Sequence, residues 1–161
     1  MLTYRCRQYA QGGVGKTTIA AALVHDEEIR ASFEKIVWVS VGQEPDIREL
    51  QESIHGQMTG EVIPPSAATL ELVQKALRDA ATTSKTLLVL DDVWDPKHEK
   101  PLNCIDRDNA SKLLVTTRIQ GLLKNASEMD VGLLSPDEAL KLLLASAEMN
   151  QDESDEGVAI D

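Results

Sequence analysis

Aromatic residues are scarce in this chain of 161 residues: one Phe, two Trp and two Tyr make up 3% of it. With 42% hydrophobic residues, the core must therefore be aliphatic. A chain of this length buries enough surface to fold as one domain. Cysteine is equally sparse. Cys6 and Cys104 stand far apart, which argues against a disulfide framework or a cysteine metal site and leaves two reduced thiols. His25, His55 and His98 are scattered without the spacing of metal ligands, and read as surface or helix residues. Basic residues are in deficit, 16 Lys and Arg against 27 Asp and Glu, for a net charge of −11. A nucleic-acid binder presents a basic face, so the charge argues against that partner. It does not argue against a pocket that needs only a few local donors. No apolar run approaches the length of a membrane span. The opening MLTYRCRQYA has no apolar segment of the kind a secretion signal carries. The expectation is a soluble, cytoplasmic protein.

What is present is an alternation of strand-like and helix-like runs. Ile36 to Val41, Thr86 to Leu90 and Leu113 to Thr117 are apolar and rich in β-branched residues, as buried strands are. Between them Ile47, Leu50, Ile54 and Met58 recur at helical spacing, and so do Leu70, Val73 and Leu77. Ser135-Pro136-Asp137-Glu138 is a helix start: Ser135 caps, Pro136 suits the first helical position and Glu138 closes a capping box. The apolar run Ala139 to Ala147 follows. Alternating strands and helices predict parallel βαβ units in a three-layer α/β fold. The predicted domain spans residues 1–147. Its first strand, within residues 2–10, is poorly apolar because of Arg5, Arg7 and Gln8. Residues 148–161 are acidic, lack Lys and Arg, and read as a disordered tail or a truncated linker. Trp38 reads as a core residue, Trp94 as packing a strand end, and Lys97 to Lys100 as a solvated charged loop.

The segment Ala10-Gln11-Gly12-Gly13-Val14-Gly15-Lys16-Thr17-Thr18 carries the most chemistry. Gly12, Gly13 and Gly15 allow a tight turn with N–H groups pointing inward at phosphate oxygens. The predicted helix from Lys16 to about His25 aims its N-terminus at the same anion. Lys16 reaches the β- and γ-phosphates, and the Thr17 hydroxyl ligates Mg2+. This is the Walker A pattern with Ala10 in place of its first glycine. The plain alternative, a glycine-rich turn with a chance Lys-Thr, does not account for the helix that follows.

Leu87 to Leu90 form an apolar strand that ends in Asp91 and Asp92, the Walker B arrangement. Asp91 would hold Mg2+ directly or through water, and Asp92 would orient or deprotonate an attacking water. Two Asp after a strand more often mark a solvated turn, but a P-loop upstream reverses that balance. Arg118 follows the third apolar strand, at the strand edge where ligands bind in open α/β sheets. It reads equally as a γ-phosphate sensor or as a surface salt-bridge arginine.

Together these residues resemble the NB-ARC family, the nucleotide switches of plant resistance proteins, the animal apoptosome scaffold and related STAND ATPases. Gly12 to Thr18 looks like the family's P-loop, and Phe33 to Val41 like its second-strand motif. Leu88-Val89-Leu90-Asp91-Asp92-Val93-Trp94 is similar to its kinase-2 motif. Ser111 to Arg118 resembles the following strand, whose arginine is the sensor, and Val131 to Ala139 the segment before the last helix of the nucleotide domain. The five motifs cover about residues 10–147 in the family's order. The resemblance implies five parallel strands, with the sensor strand between the P-loop and Walker B strands. It implies ADP or ATP as ligand with Mg2+, slow ATP hydrolysis and an ADP-bound resting state. It also implies a role in defence or cell-death signalling. Protein partners would come through flanking domains, with nucleotide-dependent oligomerisation in a full-length form. Departures are the polar first strand, Ala10, and the absence of the family's later motifs, so a fragment of a longer protein is expected. Two other readings stand beside this one. A ParA/MinD-like ATPase would carry a lysine where Gln11 stands. A degenerate domain would bind partners without nucleotide. No Asn-Lys-x-Asp for guanine is present.

Overall fold

The computed structural model of the chain describes residues 2–6, 13–63, 69–105, 108–123 and 126–155. In chain order the elements are β1 (Leu2–Cys6), α1 (Lys16–His25), α2 (Glu27–Ser32), β2 (Lys35–Gly42), α3 (Ile47–Thr59) and α4 (Leu70–Ala81). They continue with β3 (Thr86–Val93), α5 (Pro96–Leu102), β4 (Lys112–Thr117), β5 (Ser127–Val131) and α6 (Pro136–Asp155). The five strands form one sheet in the order β2-β3-β4-β1-β5, and every pairing is parallel. β4 lies between β1 and β3, as the family resemblance implies. β1 is paired on both sides despite its polar composition: Leu2 to Arg5 run beside Leu114 to Thr117, and Leu2 to Cys6 beside Ser127 to Val131. Backbone pairing of this kind asks nothing of side-chain polarity. Arg7 to Ala10, the rest of the predicted first strand, lie outside the described residues.

The strand sequences explain the layering. On β2, Val37, Val39 and Val41 are buried on one face, while Ile36 and Trp38 pack on the other. β3 is apolar on both faces because both are covered. Leu88 and Leu90 join Val37, Val39, Leu113 and Val115 in a cluster completed by Ile54 and Met58 of α3, Leu77 of α4 and Leu102 of α5. Leu87, Val89, Leu114 and Val131 face the opposite way, against Ala20 of α1 with Leu23, Val24, Ile29 and Phe33. The outcome is three layers, with α3, α4 and α5 on one side and α1 and α2 on the other. Leu88 is fully buried; cutting such a residue to Ala costs about 2–5 kcal/mol, a large share of a domain's stability.

The helices end where local chemistry ends them. Asp46 accepts from Glu49 N at 3.0 Å to start α3, and Gly60 closes it at φ +77°. Thr69 caps α4 and Asp26 caps α2. Lys97 to Lys100 are not a loop: they lie in α5, which Asp95 caps and Pro96 opens, and whose Leu102 is fully buried. His55 is buried in α3, where its Nδ1 donates to the Glu61 carbonyl at 3.0 Å. Cys104 is a buried free thiol, and removal from water pushes its pKa up to about 11.

The described chain divides into two compact units, Met1–Val131 and Gly132–Asp161. Within the second, α6 begins on a complete capping box. Ser135 N and Oγ donate to Glu138 Oε2 at 2.8 and 2.7 Å, and Glu138 N donates back to Ser135 Oγ at 3.3 Å. α6 runs beyond Ala147 to Asp155. No helix among the described residues is long and apolar enough to cross a membrane.

Candidate functional site

α1 differs from the other helices at its start. α2, α3, α4, α5 and α6 each have a side chain on their first free N–H groups and at least one acid in the first turn. α1 has neither: its cap is Gly15, at φ +88°, and its first turn holds no acid. Its leading N–H groups and the positive end of its dipole are left for an external anion. Gly13 has φ +89°, so the turn into α1 uses conformations that side chains disfavour. Gly12 lies outside the described residues, with Ala10 and Gln11. Lys16 is 7% exposed and is among the residues that line the cleft.

The end of β3 supplies the opposite wall. Asp91 and Asp92 both line the cleft, at a point where β3 bulges. Leu90 pairs with Val115 and Val93 with Thr117, which leaves one residue too many on β3. Asp92 takes that distortion at φ +56°. Thr116 of β4 fastens the bulge: its hydroxyl accepts from Asp92 N at 2.8 Å and donates to Asp91 Oδ1 at 2.5 Å. Asp91 is 4% exposed and also accepts from the Thr17 hydroxyl, at 3.0 and 3.1 Å to its two oxygens. A single buried carboxylate therefore ties α1 to β3 and β4.

Arg118, directly after β4, closes the far side. Its Nε lies 3.8 Å from Asp92 Oδ1, and its guanidinium carbon 4.6 Å from the centre of the Trp94 ring. Trp94 does pack the strand end, against this arginine. The cleft enclosed has a volume of about 430 Å³. It is lined by residues 13–18, by Asp91, Asp92 and Arg118, and by Ser40, Val41 and Gly42 at the end of β2. The structure thus brings Gly13, Val14, Gly15, Lys16, Thr17, Thr18, Asp91, Asp92 and Arg118 to one cavity. Sequence reasoning missed Thr116 and the Ser40 to Gly42 rim. Ser40 sits beside Asp91 in the sheet register, so the end of an apolar strand facing a Walker B strand was the available signal. Among the described residues no group of three or more His, Cys, Asp or Glu could hold a metal ion by itself.

Comparison with known proteins agrees with this geometry. The NB-ARC domain family matches residues 8–153. The chain is 31% identical over 134 residues to the disease resistance RPP13-like protein 4 of Arabidopsis thaliana, covering 78% of this chain and 15% of that one. It is 29% identical over 154 residues to the disease resistance protein RGA2 of Solanum bulbocastanum, covering 88% and 15%. The chain therefore spans about 15% of the length of these curated relatives. Among solved structures, its fold is similar to a chain of Drosophila ORC bound to AT-rich DNA and Cdc6. There the TM-score is 0.56 at 14% identity, over 86% of this chain and 51% of that one. With an uncapped helix start and an acidic strand end meeting at the edge of a five-stranded parallel sheet, and with the match over nearly its whole length, this chain belongs to the NB-ARC family of P-loop nucleotide-binding domains.

Proposed function

We propose that the cleft holds ADP or ATP with Mg2+, and that the chain is the nucleotide-binding core of a longer cytoplasmic switch in defence or cell-death signalling. The observation that carries this reading is the uncapped, acid-free start of α1 facing Asp91 across the cleft. In this reading Gly12 to Gly15 and the first N–H groups of α1 wrap the β-phosphate, Thr18 continues that wrap, and Lys16 meets the β- and γ-charge. The donor set fits Mg2+. Neighbouring ligands of an octahedral Mg2+ at about 2.0–2.1 Å from the metal stand about 2.9 Å apart. Thr17 Oγ1 and the Asp91 oxygens are already 3.0 and 3.1 Å apart. When bound, Mg2+ neutralises phosphate charge and fixes phosphate orientation. Arg118 senses the γ-phosphate, and Asp92 orients the attacking water in a slow hydrolysis. The choice of adenine rests on family membership. The defence role rests on the relatives' names, and protein partners and nucleotide-dependent oligomerisation would involve sequence outside the matched region.

Lys16→Ala tests the phosphate assignment. Removing a charge-assisted contact costs about 1.5–3 kcal/mol, so labelled ADP should bind roughly ten- to a hundredfold more weakly, with the circular dichroism unchanged. Equal affinities in both proteins would sink the reading. Because Lys16 is packed, Asp91→Asn gives a second measure: it should weaken the Mg2+ dependence of binding. Asp92→Asn should slow single-turnover phosphate release while ATP still binds.

A further inference from the structure

We propose that Trp94 is a positioning residue for Arg118, holding its guanidinium against Asp92 until a γ-phosphate draws it away. This inference rests on the nucleotide-binding reading above.

The sheet register creates the pairing. Val93 stands opposite Thr117, so the next residues, Trp94 and Arg118, leave the sheet side by side. Both backbones are anchored. Thr117 Oγ1 donates to Val93 O at 2.7 Å and accepts from Ile119 N at 3.0 Å, which fixes the start of the turn carrying Arg118. Trp94 is held between the β3 bulge and Asp95, the cap of α5. The guanidinium carbon lies 4.6 Å from the centre of the Trp94 ring. Arg118 Nε and Asp92 Oδ1 are 3.8 Å apart, too far for a direct hydrogen bond between these two atoms, and both side chains are part-exposed, at 27% and 38%, so this ion pair is a weak one. A planar cation stacks on an aromatic face in a way that a lysine or an aliphatic partner cannot reproduce. Arg118 is among the residues that line the cleft and Trp94 is not, so in this reading the ring acts through the arginine. A diphosphate seated at α1 would leave this arrangement as it is. A third phosphate, nearer Arg118, would compete with Asp92 for the guanidinium and turn it off the ring. Trp94 would then distinguish ATP from ADP.

The test uses the full chain with Trp38→Phe, which leaves Trp94 as the sole tryptophan of the two. Arg118→Ala, without nucleotide, should shift the Trp94 emission. A non-hydrolysable ATP analogue with Mg2+ should shift it in the same direction, and ADP should not. Trp94→Leu should strengthen binding of the analogue by roughly two- to fivefold, the worth of an exposed cation–π contact that the third phosphate no longer has to break, with ADP affinity unchanged. Trp94→Phe, which keeps a ring, should restore most of the difference. Three results would overturn the proposal: an unchanged emission in Arg118→Ala, no gain in affinity for the analogue over ADP in Trp94→Leu, or no return toward the native value in Trp94→Phe. Binding of labelled nucleotide to the unaltered chain is measured alongside. If none binds, the nucleotide reading fails and the sensing step with it, while the Arg118→Ala emission still decides whether Trp94 holds the arginine.

Discussion

Thr116 carries no charge, yet it bonds the Asp91 carboxylate and the Asp92 backbone at once. Its hydroxyl spends its proton on Asp91 and takes the Asp92 N–H that the β3 bulge has removed from the strand ladder. Valine has the same shape without either bond. Thr116→Val should therefore leave a buried N–H and a buried carboxylate oxygen each short of a partner, at about 1–3 kcal/mol of stability. The same change should relax the bulge and weaken Mg2+ dependence, and Thr116→Ser should restore both. Thermal unfolding, with nucleotide titrations over a Mg2+ series, measures the two effects. A Val variant indistinguishable from the native chain would mean that the bulge holds itself.

At the scale of elements, the sequence was readable where periodicity and composition agree. β2, β3 and β4 are apolar runs, and α3 and α4 carry apolar residues at helical spacing. The start of α6 was legible residue by residue, because the capping box is a local code. Three features were not legible. β1 looks too polar for an interior strand, since its place is set by pairing with β4 and β5 rather than by its own composition. α5 looks like a charged loop, since Leu102 is its only buried side chain. The β3 bulge leaves no mark in the sequence, because Asp-Asp reads alike in a bulge and in a turn. Of the site, the residue types and their gathering at the strand ends were legible, while the bulge at Asp92 and the Thr116 bonds that fasten it were not.

The cap of α6 gives a prediction of its own. The Ser135 N–H, and then its hydroxyl, hold the Glu138 carboxyl below its ordinary value. A lowered folded-state pKa means that the cap contributes above the ordinary carboxylate value and fades as pH falls through the lowered one. Helix content from circular dichroism should therefore be higher in the native chain than in Glu138→Gln at pH 7. The gap should close on acidification toward pH 3. A gap independent of pH would show that the charge on Glu138 is irrelevant to the cap.

For the whole molecule, binding and stability are linked. A ligand held only by the folded chain at 100 times its Kd stabilises it by about 2.7 kcal/mol. For a chain of this size that corresponds to a rise in Tm of about 5–10 °C. ADP with Mg2+ at that concentration should produce such a rise in the native chain and about half of it or less in Lys16→Ala, as read by scanning fluorimetry. An equal rise in both would place the nucleotide somewhere other than α1.

The position of β1 in the sheet bears on how the protein is made. Leu2 pairs with Leu114 and Ser127, residues from the far end of the same unit. A ribosome releases β1 well before β4 and β5, the two strands it pairs with. Contacts this distant along the chain form slowly, because a long loop must close before they stabilise anything. The turn into α1 hangs from β1, so the anion cradle is among the last parts to be assembled. Nucleotide capture would then coincide with completion of the sheet, and a nascent or half-folded chain would stay empty.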